Sequence, residues 1–160
     1  VFQVIDKNRS YLKQWLPWLD DTKAVEDLRK YIRNDIAEFE KKEGCDFGIW
    51  YQSQWIGGIG LSSFGTKDRK TSIGYWLSGD FQGKGIMTDS VRALVNYCFE
   101  HLNLNRIVIR CAVGNTKSRA IPQKLGFKEE GILRQSEWLY DHFVDLVMYG
   151  LLREDWDQSK

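Results

Sequence analysis

Apolar positions along this chain switch between a helical period and a strand period, and the order of the switches outlines a fold. Residues 1 to 16 follow a helical pattern that stops before Pro17, because the residue before proline avoids the helical region. Thr22 or Asp21 is placed to cap a second helix. Val25, Leu28, Ile32, Ile36 and Phe39 then recur at steps of three or four, and Gly44 suits the stop. Residues 46 to 51 and 55 to 63 read as two strands around a Gln52-Ser53-Gln54 turn, and 71 to 77 as a third. Met87, Val91, Leu94, Val95, Cys98 and Leu102 make one face of a strong helix. A strand at 106 to 113 follows, with Ile107, Ile109, Cys111 and Val113 on one side. A short helix lies between Asn115 and Leu125, beginning near Ser118 because Pro122 suits a first turn. The last two strands fall near 127 to 138 and 143 to 152.

The early strands are joined by short turns and are antiparallel. The unit from 71 to 113 is strand, crossover helix, strand, hence parallel and right-handed. The pattern predicts an α/β (α+β) domain spanning 1–160, with a mixed, mostly antiparallel sheet and helices on both faces.

A length of 160 residues fits one domain, able to bury roughly two-thirds of its unfolded surface. Lys and Arg number 23 against 22 Asp and Glu, so composition gives no case for a direct nucleic-acid partner. An apolar fraction of 42% excludes a disordered chain. No apolar run approaches the ~20 residues of a membrane helix, and no signal peptide is visible. Cys45, Cys98 and Cys111 are odd in number and widely spaced, which fits reduced thiols in a cytoplasmic protein. With His101 and His142 alone, no metal site is expected.

The informative stretch is Gln82-Gly83-Lys84-Gly85-Ile86-Met87-Thr88, between a strand and a helix. Unpaired amides at a helix start attract phosphate, and glycines let the backbone come close. Lys84 is placed to add positive charge. A Gly-rich turn that merely starts a helix has the same letters. A Walker A loop is excluded by spacing: Gly79 is one residue too close to Gly83-Lys84, and Gly85 replaces Ser/Thr. A dinucleotide fingerprint fails at Thr88.

With these residues the chain resembles the GCN5-related N-acetyltransferase superfamily, and within it the RimJ/RimL-type ribosomal-protein N-terminal acetyltransferases. Gln82, Gly83 and Gly85 fit that family's turn for the acetyl-CoA pyrophosphate; Met87 departs from its usual Gly or Ala. Asn115-x-x-Ser118 followed by Lys124-Leu125-Gly126-Phe127 matches its second signature. Arg9-x-x-Leu12-x-x-Trp15, Leu16-Pro17-Trp18, Ile73-Gly74-Tyr75-Trp76-Leu77 and Glu130-Gly131-Ile132-Leu133-Arg134 match the branch. The family normally opens with one more strand, and the resemblance leads us to expect that strand to be missing before Val1.

The resemblance implies acetyl-CoA as co-substrate, with no metal. Trp76, Leu77 and Ser78 are expected to offer backbone groups to the pantetheine arm, and a backbone N–H near Leu77 to face the acyl oxygen. The turn from Gln82 through Gly83, Lys84, Gly85, Ile86 and Met87 to Thr88 is expected to take the diphosphate, and Asn115 and Ser118 to flank the arm. Glu137 is the expected base and Ser118 the expected acid. Each has a plain alternative: an exposed strand carboxylate for Glu137, a helix cap for Ser118, a turn residue for Asn115. Asp141, His142 and Asp145 are reserve bases, although Asp145 fits a structural place better, and Tyr140 and Tyr149 are reserve acids. Trp15, Trp18, Trp50 and Trp55 line an acceptor cleft or simply fill the core. The implied acceptor is the N-terminal amine of a protein, with a ribosomal protein as the branch-level expectation. A polyamine or aminoglycoside-like amine is the runner-up, and a catalytically silent acyl-CoA-binding module or an ATP-binding protein are readings of another class. An exposed last strand, in a family that often dimerises, points to a homodimer as an expectation.

Overall fold

A computed structural model describes residues 1–158. Helices α1 (Phe2–Lys7) and α2 (Arg9–Leu12), a 3-10 segment at Pro17–Asp21 and α3 (Val25–Lys41) precede a hairpin of β1 (Gly44–Tyr51) and β2 (Gln54–Ser62). β3 (Lys70–Leu77), α4 (Ile86–Glu100), β4 (Arg106–Ala112), α5 (Thr116–Lys124), β5 (Lys128–Leu139), β6 (His142–Leu152) and α6 (Arg153–Gln158) complete the chain. The sheet has six strands in the order β1-β2-β3-β4-β6-β5, and only β3 and β4 run parallel. The expected fold class holds.

One side of the sheet buries Ile73, Leu77, Ile107, Ile109 and Val147 against Val91, Val95 and Cys98 of α4. On the other side Ile5, Leu12 and Leu19 gather with Trp55 and Trp76. All three cysteines are buried and free.

β3 and β4 pair over only three residues, Lys70–Ser72 against Arg106–Val108, and then part. Beyond Ser72 the inner edges of both strands face a gap. The sheet is two three-stranded halves joined at this short seam.

Several local expectations are corrected. The first helix is broken at Asn8, whose side chain turns to residues 78 and 79 instead of to solvent. α3 is capped neither by Asp21 nor by Thr22: the Asp27 carboxylate accepts from the Lys23 and Ala24 amides at 2.9 and 2.8 Å. It stops at Lys42 in the left-handed region (φ 59°), while Gly44 already belongs to β1. None of its apolar stripe is buried; Ile36 is 57% exposed. The β1–β2 turn is the two-residue kind, with φ positive at Gln52 and Ser53. α5 is capped by Asn115, whose Oδ1 accepts from the Ser118 amide at 3.2 Å, so Ser118 is not the cap. Helix α6 was not signalled by any apolar period, its one buried residue being Trp156.

Candidate active site

The cleft opens where β3 and β4 separate, between the α4 and α5 starts and the stretch that carries Tyr11, Leu12, Trp15 and Leu16. Its volume is about 750 Å³. Its walls include Trp76 and Leu77 of β3, the turn residues Gln82, Gly83, Gly85, Ile86, Met87 and Thr88, and Asn115 and Ser118 of α5. Gly83 and Gly85 take φ of 73° and 80°, a left-handed backbone that side chains with a Cβ resist. Gly85 is the N-cap of α4 and has no side chain to offer, so the first amides of a 15-residue helix are left for another acceptor. A Cβ at Gly83 would meet nothing within 4 Å, so the turn is open towards the cleft.

The charged side chains lining the cleft are Lys117 and Lys124, both on α5, with no carboxylate among them. Lys84 is absent from the lining; its Nζ sits 5.1 Å from the Phe81 ring centroid. The positive charge therefore comes from α5, which the spacing around Gly83 did not signal. Gln82 is held by two neighbours: its amide donates to the Tyr11 hydroxyl, and its Oε1 accepts from Lys117 Nζ at 3.3 Å.

Ladder alternation orients the β3 backbone. The Ser78 amide donates to the Ile56 carbonyl at 2.8 Å, in register with the β2–β3 ladder. Neighbouring residues in such a ladder point opposite ways, so the Leu77 N–H faces the gap.

At the cleft wall Ser118 Oγ lies 3.2 Å from Cys111 Sγ and 3.3 Å from the Tyr75 hydroxyl. Burial pushes the Tyr75 phenol and the Cys111 thiol up, away from ionisation. The reserve acids are engaged elsewhere. Tyr149 is fully buried and donates to Glu129 at 3.2 Å, while Tyr140 donates to the Leu16 carbonyl at 2.6 Å.

Glu137 is not in the cleft lining; it lies on the opposite face of the sheet. It pairs with Val144, whose side of β6 also carries Leu146, and it senses Arg110, which alternates with the buried Ile109 and Cys111. Burial raises its carboxyl above the ordinary value, with Arg110 opposing. A bulge sets its place: four steps along β5 from Leu133 to Glu137 match two along β6 from Leu146 to Val144. Asp145 accepts from the Gln135 amide at 2.7 Å within that bulge, a structural task. Asp141 and His142 pair with each other at 2.6 Å in the exposed β5–β6 turn.

The four tryptophans do not share one cleft. Trp15 lines the first cleft, whereas Trp18 and Trp55 line a second cavity of about 740 Å³ on the α3 side. Trp50 is 66% exposed. Trp55 and Trp18 pack against Trp76 with ring centroids 5.2 and 6.2 Å apart. Leu16, Tyr75 and Trp76 are common to both spaces, so the two meet at the parted strands. The charged lining of the second is four carboxylates, Asp21, Asp27, Asp35 and Asp46, against Lys30.

A sheet split at one parallel pair, with a glycine turn and an uncapped helix start at the split, defines an acyl-CoA N-acyltransferase type of fold. Residues 1–128 match the model of the acetyltransferase (GNAT) domain, and the chain belongs to that family of acetyltransferases. It is 37% identical over 159 residues to the putative ribosomal N-acetyltransferase YdaF of Bacillus subtilis (strain 168), covering 99% of this chain and 87% of that one. It is 32% identical over 150 residues to the ribosomal-protein-serine acetyltransferase of Escherichia coli (strain K12), covering 94% and 84%. Among solved structures it is similar to RimL, the ribosomal L7/L12 alpha-N-protein acetyltransferase, in complex with coenzyme A: TM-score 0.90, 30% identity, covering 94% of this chain and 85% of that one. The microcin C7 self-immunity acetyltransferase MccE, in complex with acetyl-CoA and AMP, gives a TM-score of 0.89 at 26% identity, covering 94% of this chain.

Proposed function

We propose that this acetyltransferase moves an acetyl group from acetyl-CoA to the N-terminal amine of a protein, in a complex that holds both at once. The observation that carries the reading is the meeting of two unlike spaces at one gap. A cationic cleft with free helix amides adjoins an acidic, aromatic cavity, and a half-buried carboxylate, in the lining of neither, sits on the sheet face away from α4. A diphosphate fits the first and an ammonium the second. The names of the ribosomal-protein acetyltransferases among the relatives support the protein amine.

Bound acetyl-CoA supplies an activated acyl carbonyl and a thiolate leaving group. Gly83, Gly85 and the first amides of α4 hold the diphosphate, with Lys117 and Lys124 adding charge. Asn115 flanks the arm. The Leu77 N–H faces the gap where the acyl oxygen gains charge; such a donor contributes ~2.7–4 kcal/mol. Glu137 takes the ammonium proton, a task that a raised carboxyl performs better near neutral pH. Ser118 donates a hydrogen bond to the departing sulfur.

Calorimetry with acetyl-CoA and ATP, followed by thiol release with peptides bearing free or blocked N-termini, tests this. Acetyl-CoA binding, and release with free N-termini alone, is the expected result. Binding without release for any amine makes the protein a silent acyl-CoA module, and release with small amines only moves the acceptor to that class.

A further inference from the structure

The hydroxyl proposed to meet the departing sulfur is held in an unusual way, and the cause is Pro122. In a regular helix the residue at 122 would donate its amide to the Ser118 carbonyl; proline has no amide hydrogen. That carbonyl instead accepts from the Tyr75 hydroxyl at 3.0 Å. The same phenol oxygen accepts from Ser118 Oγ at 3.3 Å, and Cys111 Sγ completes a triangle with them, 3.2 Å from that Oγ and 3.9 Å from the phenol oxygen. A strand side chain on β3 thus holds both the backbone and the hydroxyl of one residue on α5, across the gap where the two halves of the sheet part.

From this geometry we infer that Tyr75 is a positioning residue for the transfer, locking the Ser118 hydroxyl on the cleft wall and strengthening it as a donor. The inference rests on the role proposed for Ser118. At rest the Ser118 hydrogen points to Tyr75. As the carbon–sulfur bond breaks, its electron pair goes to sulfur and the Ser118 hydrogen turns towards it. The Tyr75 hydrogen then turns from the carbonyl to the vacated Ser118 oxygen. Both residues keep their protons; only hydrogen bonds change partners, and the sulfur takes its proton from water after release. A hydroxyl that accepts one hydrogen bond donates a stronger one. Burial keeps the phenol neutral, as this requires.

The test is a double-substitution cycle on the purified enzyme, read as kcat and KM for acetyl-CoA with melting temperature alongside. Tyr75→Phe keeps the ring and removes the hydroxyl. The expected result is a loss of about tenfold in kcat, the worth of one hydrogen bond, with KM within about twofold. In a Ser118→Ala background Tyr75→Phe is expected to change kcat by less than about twofold. Equal losses in both backgrounds would mean that Tyr75 acts through packing, and the inference falls. A normal rate for Tyr75→Phe with a slow Ser118→Ala also overturns it while leaving Ser118 in place. A normal rate for Ser118→Ala removes Ser118 itself from the proposed chemistry.

Discussion

Asn8 and Ser78 meet across the two ends of the site: Asn8 Nδ2 donates to Ser78 Oγ at 3.1 Å, and Asn8 Oδ1 accepts from the next amide, Gly79, at 2.9 Å. Both side chains are buried. The break between α1 and α2 therefore has a use. It turns one amide inward to hold the 3-10 turn (Gly79–Phe81) that leads into the glycine turn at Gln82 to Thr88. Asn8→Ala leaves the Gly79 amide without this acceptor. The expected cost is ~1–3 kcal/mol in chemical denaturation, with weaker coenzyme A binding by calorimetry. Full affinity in a destabilised variant would separate the turn from the binding site.

As the proposed base, Glu137 is expected to carry the pH dependence. Its carboxyl is raised, so the basic form is lost as pH falls through a value above that of a free glutamate. The acid limb of kcat/KM is expected above about pH 4.5 and is expected to vanish in Glu137→Gln, whose turnover drops ~10²–10⁴. Acetyl-CoA affinity stays nearly intact, because Glu137 faces away from that cleft. The stability sign is the reverse of an ion pair's. A raised carboxyl favours the folded state below the unfolded value and loses that advantage as pH rises through the folded one.

A third prediction concerns the far half of the sheet. Glu130 of β5 reaches across β6 to Arg106 of β4, with Oε1 2.7 Å from Nη1, and lies directly over Gly150. Arg106 holds the Glu130 carboxyl below its usual range. That contribution is present above the unfolded carboxylate value and lost as pH falls through the folded one. Gly150→Ala places a methyl where the carboxylate lies, so the ion pair is displaced. Gly150→Ala and Glu130→Gln should each cost ~0.5–1 kcal/mol at neutral pH and less than their sum together. Additive losses in urea melts would show that the glycine serves packing alone.

Much of this was legible in the letters because strong periods have strong causes. Met87, Val91, Leu94, Val95 and Cys98 announce α4, and all five are buried. The alternation at Ile107, Ile109 and Cys111 announces β4, though Val113 lies past its end and is exposed. The turn at Gln82 to Thr88 stands where its glycines put it. What was not legible depends on distant partners. Asn8 breaks a helix for the sake of residues 78 and 79. Lys84 lies within the turn yet packs on Phe81, and the charge lining the cleft comes from Lys117 and Lys124 instead. Tyr75 alternates like any strand residue. Its partner is created by a proline 47 positions later, as the numbering shows.

The three-residue join between β3 and β4 has a wider bearing. The turn proposed to hold the diphosphate extends from one trio of strands and the proposed base Glu137 rides on the other, so under that reading the angle between them at this joint sets how squarely amine and acyl group face each other. Thr71, buried at the joint and donating to the Ser62 carbonyl at 2.8 Å, belongs to neither cleft, yet it helps to set the aim of both.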